Sequence, residues 1–283
     1  MFRLHDSRTG RPDHITPARR GQLATYLASP AGAGPAGTAA TGVGLDDLRA
    51  ALVADLIRRV AERHHLLVTA WQRDPGIPGT GTSGTGTPGT GTPGEDGNGD
   101  EPRGAAAAFR LACDALNIHP AQLSAEPPDP LDVQVAGEPP TTGGRWLRPA
   151  GVRDDGGLPD GGTLPDGLAV RGHDPLALRL ALLRHHHQQP AALSQDTLNG
   201  AGQVLSQWRE QVAEWARSPS KPMCAQYTTD FTQAFDDDLA TPAALATLAA
   251  LAADEEIPPG SKFEAFAYFD QLLGLDLARQ VGY

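Results

Sequence analysis

Cysteine is nearly absent from this chain: Cys113 and Cys224 are the only two among 283 residues. Two thiols this far apart exclude a disulfide framework, and they fall short of the ~4 ligands of a structural zinc site. Lysine is equally scarce, with Lys221 and Lys262 the only examples. Acidic residues outnumber basic ones, 34 to 23, for a formal net charge of -11. Affinity for nucleic acid is supplied largely by basic side chains on phosphates, so this balance argues against DNA as a partner. The best basic cluster is Arg58, Arg59 and Arg63, three residues of one helical stretch. No apolar run reaches the ~18 residues that span a bilayer, and no secretory signal is apparent. The expectation is a soluble, cytoplasmic protein with no membrane partner.

What is plentiful is unevenly placed. The chain holds 33 Gly and 25 Pro, most of the excess between residues 76 and 167. The two ends are rich in Leu and Ala with apolar residues at regular spacing. Residues 23–27 read as a buried strand. Leu45, Leu48, Leu52, Leu56 and Val60 then fall three or four apart, which predicts an amphipathic helix over 45–64 capped by Asp46 or Asp47. Leu66, Leu67, Val68 and Trp71 read as a second strand. Strand, helix, strand is the opening unit of a parallel α/β layer. Residues 76–104 have almost no apolar side chains to offset ordering entropy, so they read as a disordered Gly/Thr/Pro linker. They are not a phosphate-binding loop, because the Gly-Lys-Ser/Thr ending and the following helix are missing. A helix is expected over 105–117. Residues 133–162 show no period.

From residue 174 onward the pattern is helical. Asp174-Pro175 is an N-cap followed by Pro at the first helical position, opening a helix over 175–187. Ser194 caps another, with the stripe Leu198, Ala201, Leu205, Trp208, Val212 and Trp215. That stripe assigns both tryptophans to packing rather than to stacking on bases. Tyr227, Phe231 and Phe235 mark a third helix, and Thr241-Pro242 is expected to cap a fourth. Phe263, Phe266, Phe269 and Leu273 mark a fifth, which Gly274 ends.

Three stretches in this region resemble cysteinyl-tRNA synthetase, a class I aminoacyl-tRNA synthetase. The first is Gly172-His173-Asp174-Pro175-Leu176-Ala177-Leu178-Arg179, continued by His186, Pro190 and Ser194. The second is Asp236-Asp237-Asp238-Leu239-Ala240-Thr241-Pro242, and the third is Leu272-Leu273-Gly274-Leu275-Asp276-Leu277. They follow one another in the family's order. The N-terminal half is similar more thinly, at Phe2-Arg3-Leu4-His5-Asp6-Ser7, at residues 53–59, and at Phe109, Cys113 and Pro120.

The departures bear on chemistry. The family's His-x-Gly-His element, whose imidazoles and helix N-terminus hold the ATP phosphates, falls on Gly44-Leu45-Asp46-Asp47. Two carboxylates there repel a polyphosphate. The Lys-Met-Ser-Lys-Ser loop falls on residues 156–162, which contain no Lys. Arg145, Arg148 and Arg153 are the nearby cations. The family's zinc is held by Cys, Cys, His and Glu, yet its first Cys falls near Ala28 and neither cysteine here matches a ligand position. ATP and zinc are implied by the resemblance, but these residues do not support either cofactor. No catalytic, cofactor or metal residue is assigned.

Three consecutive histidines, His185, His186 and His187, invite a metal reading. On a helix their side chains point about 100° apart, so they are not expected to converge on one ion. The resemblance makes His186 and Arg179 candidate RNA contacts. Asp236, Asp237 and Asp238 are expected to serve the helix start that follows them rather than a cation.

These readings define a mainly α protein with an incomplete Rossmann-like α/β N-terminal region followed by an antiparallel helical bundle. Residues 1–75 begin the degenerate nucleotide-binding region, 76–104 form the linker, 105–165 are a partly irregular remnant, and 166–283 form the bundle. The functional expectation is a truncated, motif-degenerate paralogue without aminoacylation activity, a tRNA- or protein-binding accessory. The alternative is an active ATP-dependent ligase of cysteine or another amino acid with an altered site.

Overall fold

Residues 2–28, 44–73, 101–140, 143–156 and 163–282 are those described by this computed structural model of the protein. The chain opens on an antiparallel pair, β1 (Arg3–Asp6) and β2 (Arg11–His14), with Arg3 opposite His14. It then builds the expected unit from β3 (Gln22–Ala28), α1 (Leu45–Arg63) and β4 (Leu67–Arg73), the two strands parallel with Gln22 opposite Leu67. Gly44 is the N-cap of α1, not Asp46 or Asp47, which sit in the first helical turn. α2 (Glu101–Ala115) leads to β5 (Gln122–Ser124), which lies against β4. Helix α2 starts four residues ahead of the expected 105. Residues 76–100, the rest of the expected linker, lie outside the described residues.

The chain next returns across the sheet. β6 (Val133–Ala136) pairs with the free side of β3, and β7 (Arg145–Leu147) lies beyond it. The order β5-β4-β3-β6-β7 is parallel throughout. Strand addition reverses between β3 and β6, the kind of point where open parallel sheets hold ligands, at the strands' carboxyl ends. The absence of period over 133–162 has a physical cause. β6 has four residues, and β7 and β8 (Val152–Asp154) have three each, too few for a period to stand out.

Seven-residue α3 (Leu164–Val170) is capped by the Thr163 side chain. α4 (Pro175–Leu183) begins as expected, the Asp174 carboxylate accepting from Leu176 N at 2.8 Å. It ends at Leu183, however, four residues short of His187. β9 (Ala191–Leu193) pairs in parallel with β8. α5 (Gln195–Trp215) starts with a reciprocal capping box between Ser194 and Thr197. α6 (Ala225–Asp236), α7 (Thr241–Ala253) and α8 (Pro259–Leu273) follow. The cap of α7 is Ala240 without a side-chain bond, and Thr241 and Pro242 are its first helical residues. Gly274 ends α8 in the left-handed region, φ +64°.

Helix pairs α4 and α5, α6 and α7, and α5 and α8 pack on each other. Trp208 is buried, and both it and Trp215 meet Phe266 edge-on, with Phe231 stacked on Phe269 at 3.9 Å. This is the apolar role their spacing assigned. α1 covers β3, β4 and β6 on one side and touches α8 on the other. One continuous apolar cluster therefore runs from Leu23 and Val135 of the sheet to Phe269 and Leu273 of α8.

Candidate functional site

The N-terminus of α1 is the stretch where the resemblance looks for the phosphate-binding histidines. Its first turn carries Asp46 and Asp47. Asp46 Oδ1 accepts from Val152 N at 2.7 Å, which fastens the turn to β8. Behind it, the buried Arg49 donates to Ala150 O, Gly151 O, His186 O and Gln189 O at 2.6–3.1 Å. The guanidinium nearest this turn is thus consumed by backbone carbonyls. Of the other nearby cations, Arg145 donates to Leu4 O and His14 O, and Arg153 pairs with Asp155. Arg148 is exposed, its backbone N–H held by Ser7 Oγ. Residues 157–162, most of the stretch matched to the family's lysine loop, lie outside the described residues. Ala28, at the first zinc-Cys position, ends β3.

A second group of polar residues is buried where α1, α4 and α8 meet. Asp55 Oδ2 accepts from Arg59 Nε and from Arg179, each at 2.8 Å. Asp55 Oδ1 meets the backbone N–H and Nδ1 of His119, at 3.1 and 2.7 Å. The remaining guanidinium donors cover helix ends. Arg179 reaches Leu273 O, Leu116 O and Asn117 O, while Arg59 reaches Gln271 O and Asn117 O. Those carbonyls have no intrahelical partner and sit at the negative ends of α2 and α8, so the arrangement satisfies both hydrogen bonding and dipole. Burial alone would push the Asp55 carboxyl up. The His119 hydrogen bond and the two guanidiniums outweigh it and hold that carboxyl well below the usual carboxylate range. Arg179 has no exposed surface, so this candidate RNA contact faces inward and presents no atom to a surface ligand.

Asp236, Asp237 and Asp238 do not cap α7. Each pins a different segment. Asp236 pairs with Arg63 and His64, and Asp237 pairs with Arg3 at 2.5 Å. Asp238 receives the N–H of His5 at 2.7 Å and meets His186 and His187. Because α4 stops at Leu183, these histidines lie in a turn. Two of the three then converge, their rings 4.3 Å apart, contrary to the helical expectation. His186, the other candidate RNA contact, is part-buried with Nε2 2.9 Å from Asp238 O.

A concave pocket of about 610 Å³ opens at the far end of α1, lined by Arg59, Glu62, Arg63, His65, His119 and Tyr268 among others. Its size is that of a small-molecule site. Its cations are already partnered, Arg59 by Asp55 and Arg63 by Asp236. Cys113 is half-buried, its thiol pushed up to about 12 by burial and by the nearby Asp114 and Asp55 carboxylates. Cys224 is the N-cap of α6. Both thiols are free.

Comparison with curated proteins finds similarity over part of the chain. Over 118 residues the chain is 36% identical to the L-cysteine:1D-myo-inositol 2-amino-2-deoxy-alpha-D-glucopyranoside ligase of Geodermatophilus obscurus, a match covering 39% of this chain and 26% of that protein. Over 101 residues it is 41% identical to the cysteine–tRNA ligase of Methylocella silvestris, covering 36% and 19%. Part of the chain is similar to cysteine ligases. A third relative, the L-cysteine:1D-myo-inositol 2-amino-2-deoxy-alpha-D-glucopyranoside ligase of Thermomonospora curvata, is 33% identical over 115 residues, covering 39% and 27%. No family model matches the chain. The chain spans about a fifth to a quarter of the length of the curated proteins it matches. Among the described residues, no helix is long and apolar enough to cross a membrane.

Proposed function

We propose that this chain is a cysteine-ligase relative that does not form an aminoacyl adenylate and serves as an accessory binding protein. The observation that carries the reading is the first turn of α1. Where phosphates would need imidazoles and free N–H groups, it has Asp46 bonded to Val152 and Asp47 beside it. Two carboxylates at a helix N-terminus use up the favourable end of the dipole themselves. Arg49, Arg145 and Arg153 are bound elsewhere, which among the described cations near this turn leaves the exposed Arg148 alone to neutralise charge during adenylate formation. Cysteine-dependent exchange of pyrophosphate into ATP tests this. The expected result is exchange no faster than a no-enzyme control, and robust exchange overturns the reading.

The binding surface in this account is the helical part from α4 to α8, which we take to be an antiparallel bundle forming a domain over 166–283. A protein partner is favoured over tRNA. Within that helical part Arg179 is internal, Arg209 is buried against Asp174 and Arg217 is paired with Glu214, and the chain as a whole carries a formal net charge of -11. The tRNA reading draws on the name of the Methylocella silvestris relative. A gel-shift titration with tRNA separates the two, because binding through phosphates weakens steeply with salt. The expected outcome is no salt-sensitive shift. A steep salt-sensitive shift makes tRNA the partner.

The second reading is an altered but active ligase that joins cysteine to an amine. It is favoured by one fact: relatives named as L-cysteine:1D-myo-inositol 2-amino-2-deoxy-alpha-D-glucopyranoside ligase recur at 33–36% identity. The exchange assay decides between the two readings.

A further inference from the structure

We propose that His186, His187 and Asp238 form a binding site for a late first-row divalent cation, with zinc the best fit. The contacts centre on one residue. Nε2 of His186 lies 2.9 Å from Asp238 O and 3.7 Å from its Oδ2, and Nε2 of His187 lies 3.1 Å from Asp238 O and 3.1 Å from its Oδ1. These ligand atoms all fall within 4.8 Å of one another. Tetrahedral zinc at ~2.0–2.1 Å from each donor separates its ligands by roughly 3.3 Å. The distances here bracket that value. Small movements of two imidazoles would therefore seat an ion between them and the carboxylate, leaving a coordination position for water or a substrate atom.

The donor chemistry points the same way. Two imidazoles and one carboxylate suit a borderline cation such as zinc better than magnesium or calcium, which prefer all-oxygen shells. The groups are sheltered: the side chains of His187, Asp238 and His186 are 3%, 13% and 22% exposed. Asp238 is held from outside the pair by His5 N at 2.7 Å and Gln188 Nε2 at 2.9 Å, so the carboxylate is oriented before any ion arrives. His187 Nδ1 is buried with no hydrogen-bond partner. Without an ion, His187 Nε2 donates to the oxygens of Asp238; because no described group holds Nδ1, the proton can move to that nitrogen and leave the Nε2 lone pair for a cation. His186 Nδ1 has only the long 3.4 Å contact from Gln188 N, which a small rotation of the ring breaks. The sequence hid this site because it placed the histidines on a helix, where no two would meet.

The test is calorimetric titration of the whole chain, freed of metal by chelator, with zinc chloride. One equivalent bound with Kd at or below about 1 μM is expected, on the strength of a preformed three-ligand set. Cobalt substitution should give the intense visible bands of four-coordinate cobalt. His186→Ala, at the most exposed ligand, should weaken zinc binding at least about tenfold to a hundredfold, with the folded signal by circular dichroism kept as a control. The double variant Cys113→Ser, Cys224→Ser should bind as the parent does. Failure of the folded parent to bind one equivalent tighter than about 0.1 mM overturns the site. So does binding that is lost with the cysteines and unchanged in His186→Ala.

Discussion

Asp55 shows how one residue can govern the join between the sheet and the helices. It lies within the apolar stripe of α1, among Leu52, Val53, Leu56 and Ile57, all buried. A lone carboxylate there would be costly, and Arg59, Arg179 and His119 supply four hydrogen bonds to it. Removing one member of such a group strands the others. Asp55→Asn is expected to destabilise the chain by about 3–5 kcal/mol, because two guanidiniums lose their counter-charge; urea denaturation at pH 7 measures it. The sign with pH follows from the depressed carboxyl. Its contribution is complete above the ordinary carboxylate range near ~4 and is lost as pH falls below that through the folded-state value. The gap between parent and variant should accordingly narrow on acidification. A gap that stays constant from neutral to acid pH contradicts this role for Asp55. The apolar spacing of α1 was legible in the sequence, but the role of Asp55 within it was not. Its partners come from residues 119 and 179 and meet only in the fold.

At the scale of elements, capping chemistry and apolar spacing carried most of what was legible. Asp174 and Ser194 cap α4 and α5 with the expected bonds, and the α5 stripe lies in the core. What local pattern missed was decided by tertiary contacts. β6 and β7, at four and three residues, are too short for a period to stand out. The end of α4 at Leu183 is fixed where Arg49 draws the carbonyls of His186 and Gln189; those bonds hold that segment out of the helix. Gly274 links this scale to the last. A Cβ at that position would lie 2.9 Å from Arg179 Nη2 and 3.0 Å from Arg59 Nη2, and φ +64° disfavours a side chain. Gly274→Ala should cost about 1–3 kcal/mol, read as a lowered midpoint in thermal or urea unfolding. An unchanged midpoint would mean that the helix end and its two arginines relax freely.

For the whole molecule, the parallel sheet and the helices share one apolar cluster, and the relation to cysteine ligases rests on 33–41% identity over part of the chain. That relation was readable from the motifs around Arg179 and Asp238, because those residues hold helix junctions together and their spacing is set by the fold. The candidate cation site was not readable, since it depends on a helix ending early. Asp46 and Asp47 were legible in the sequence at the start of α1, and the geometry adds that Asp46 is committed to β8. The central physical claim is that this chain cannot cradle a triphosphate. Calorimetric titration with magnesium-ATP tests it most directly: the account predicts no binding tighter than about 1 mM, a free energy of roughly 4 kcal/mol, whereas saturable one-to-one binding in the micromolar range would contradict it.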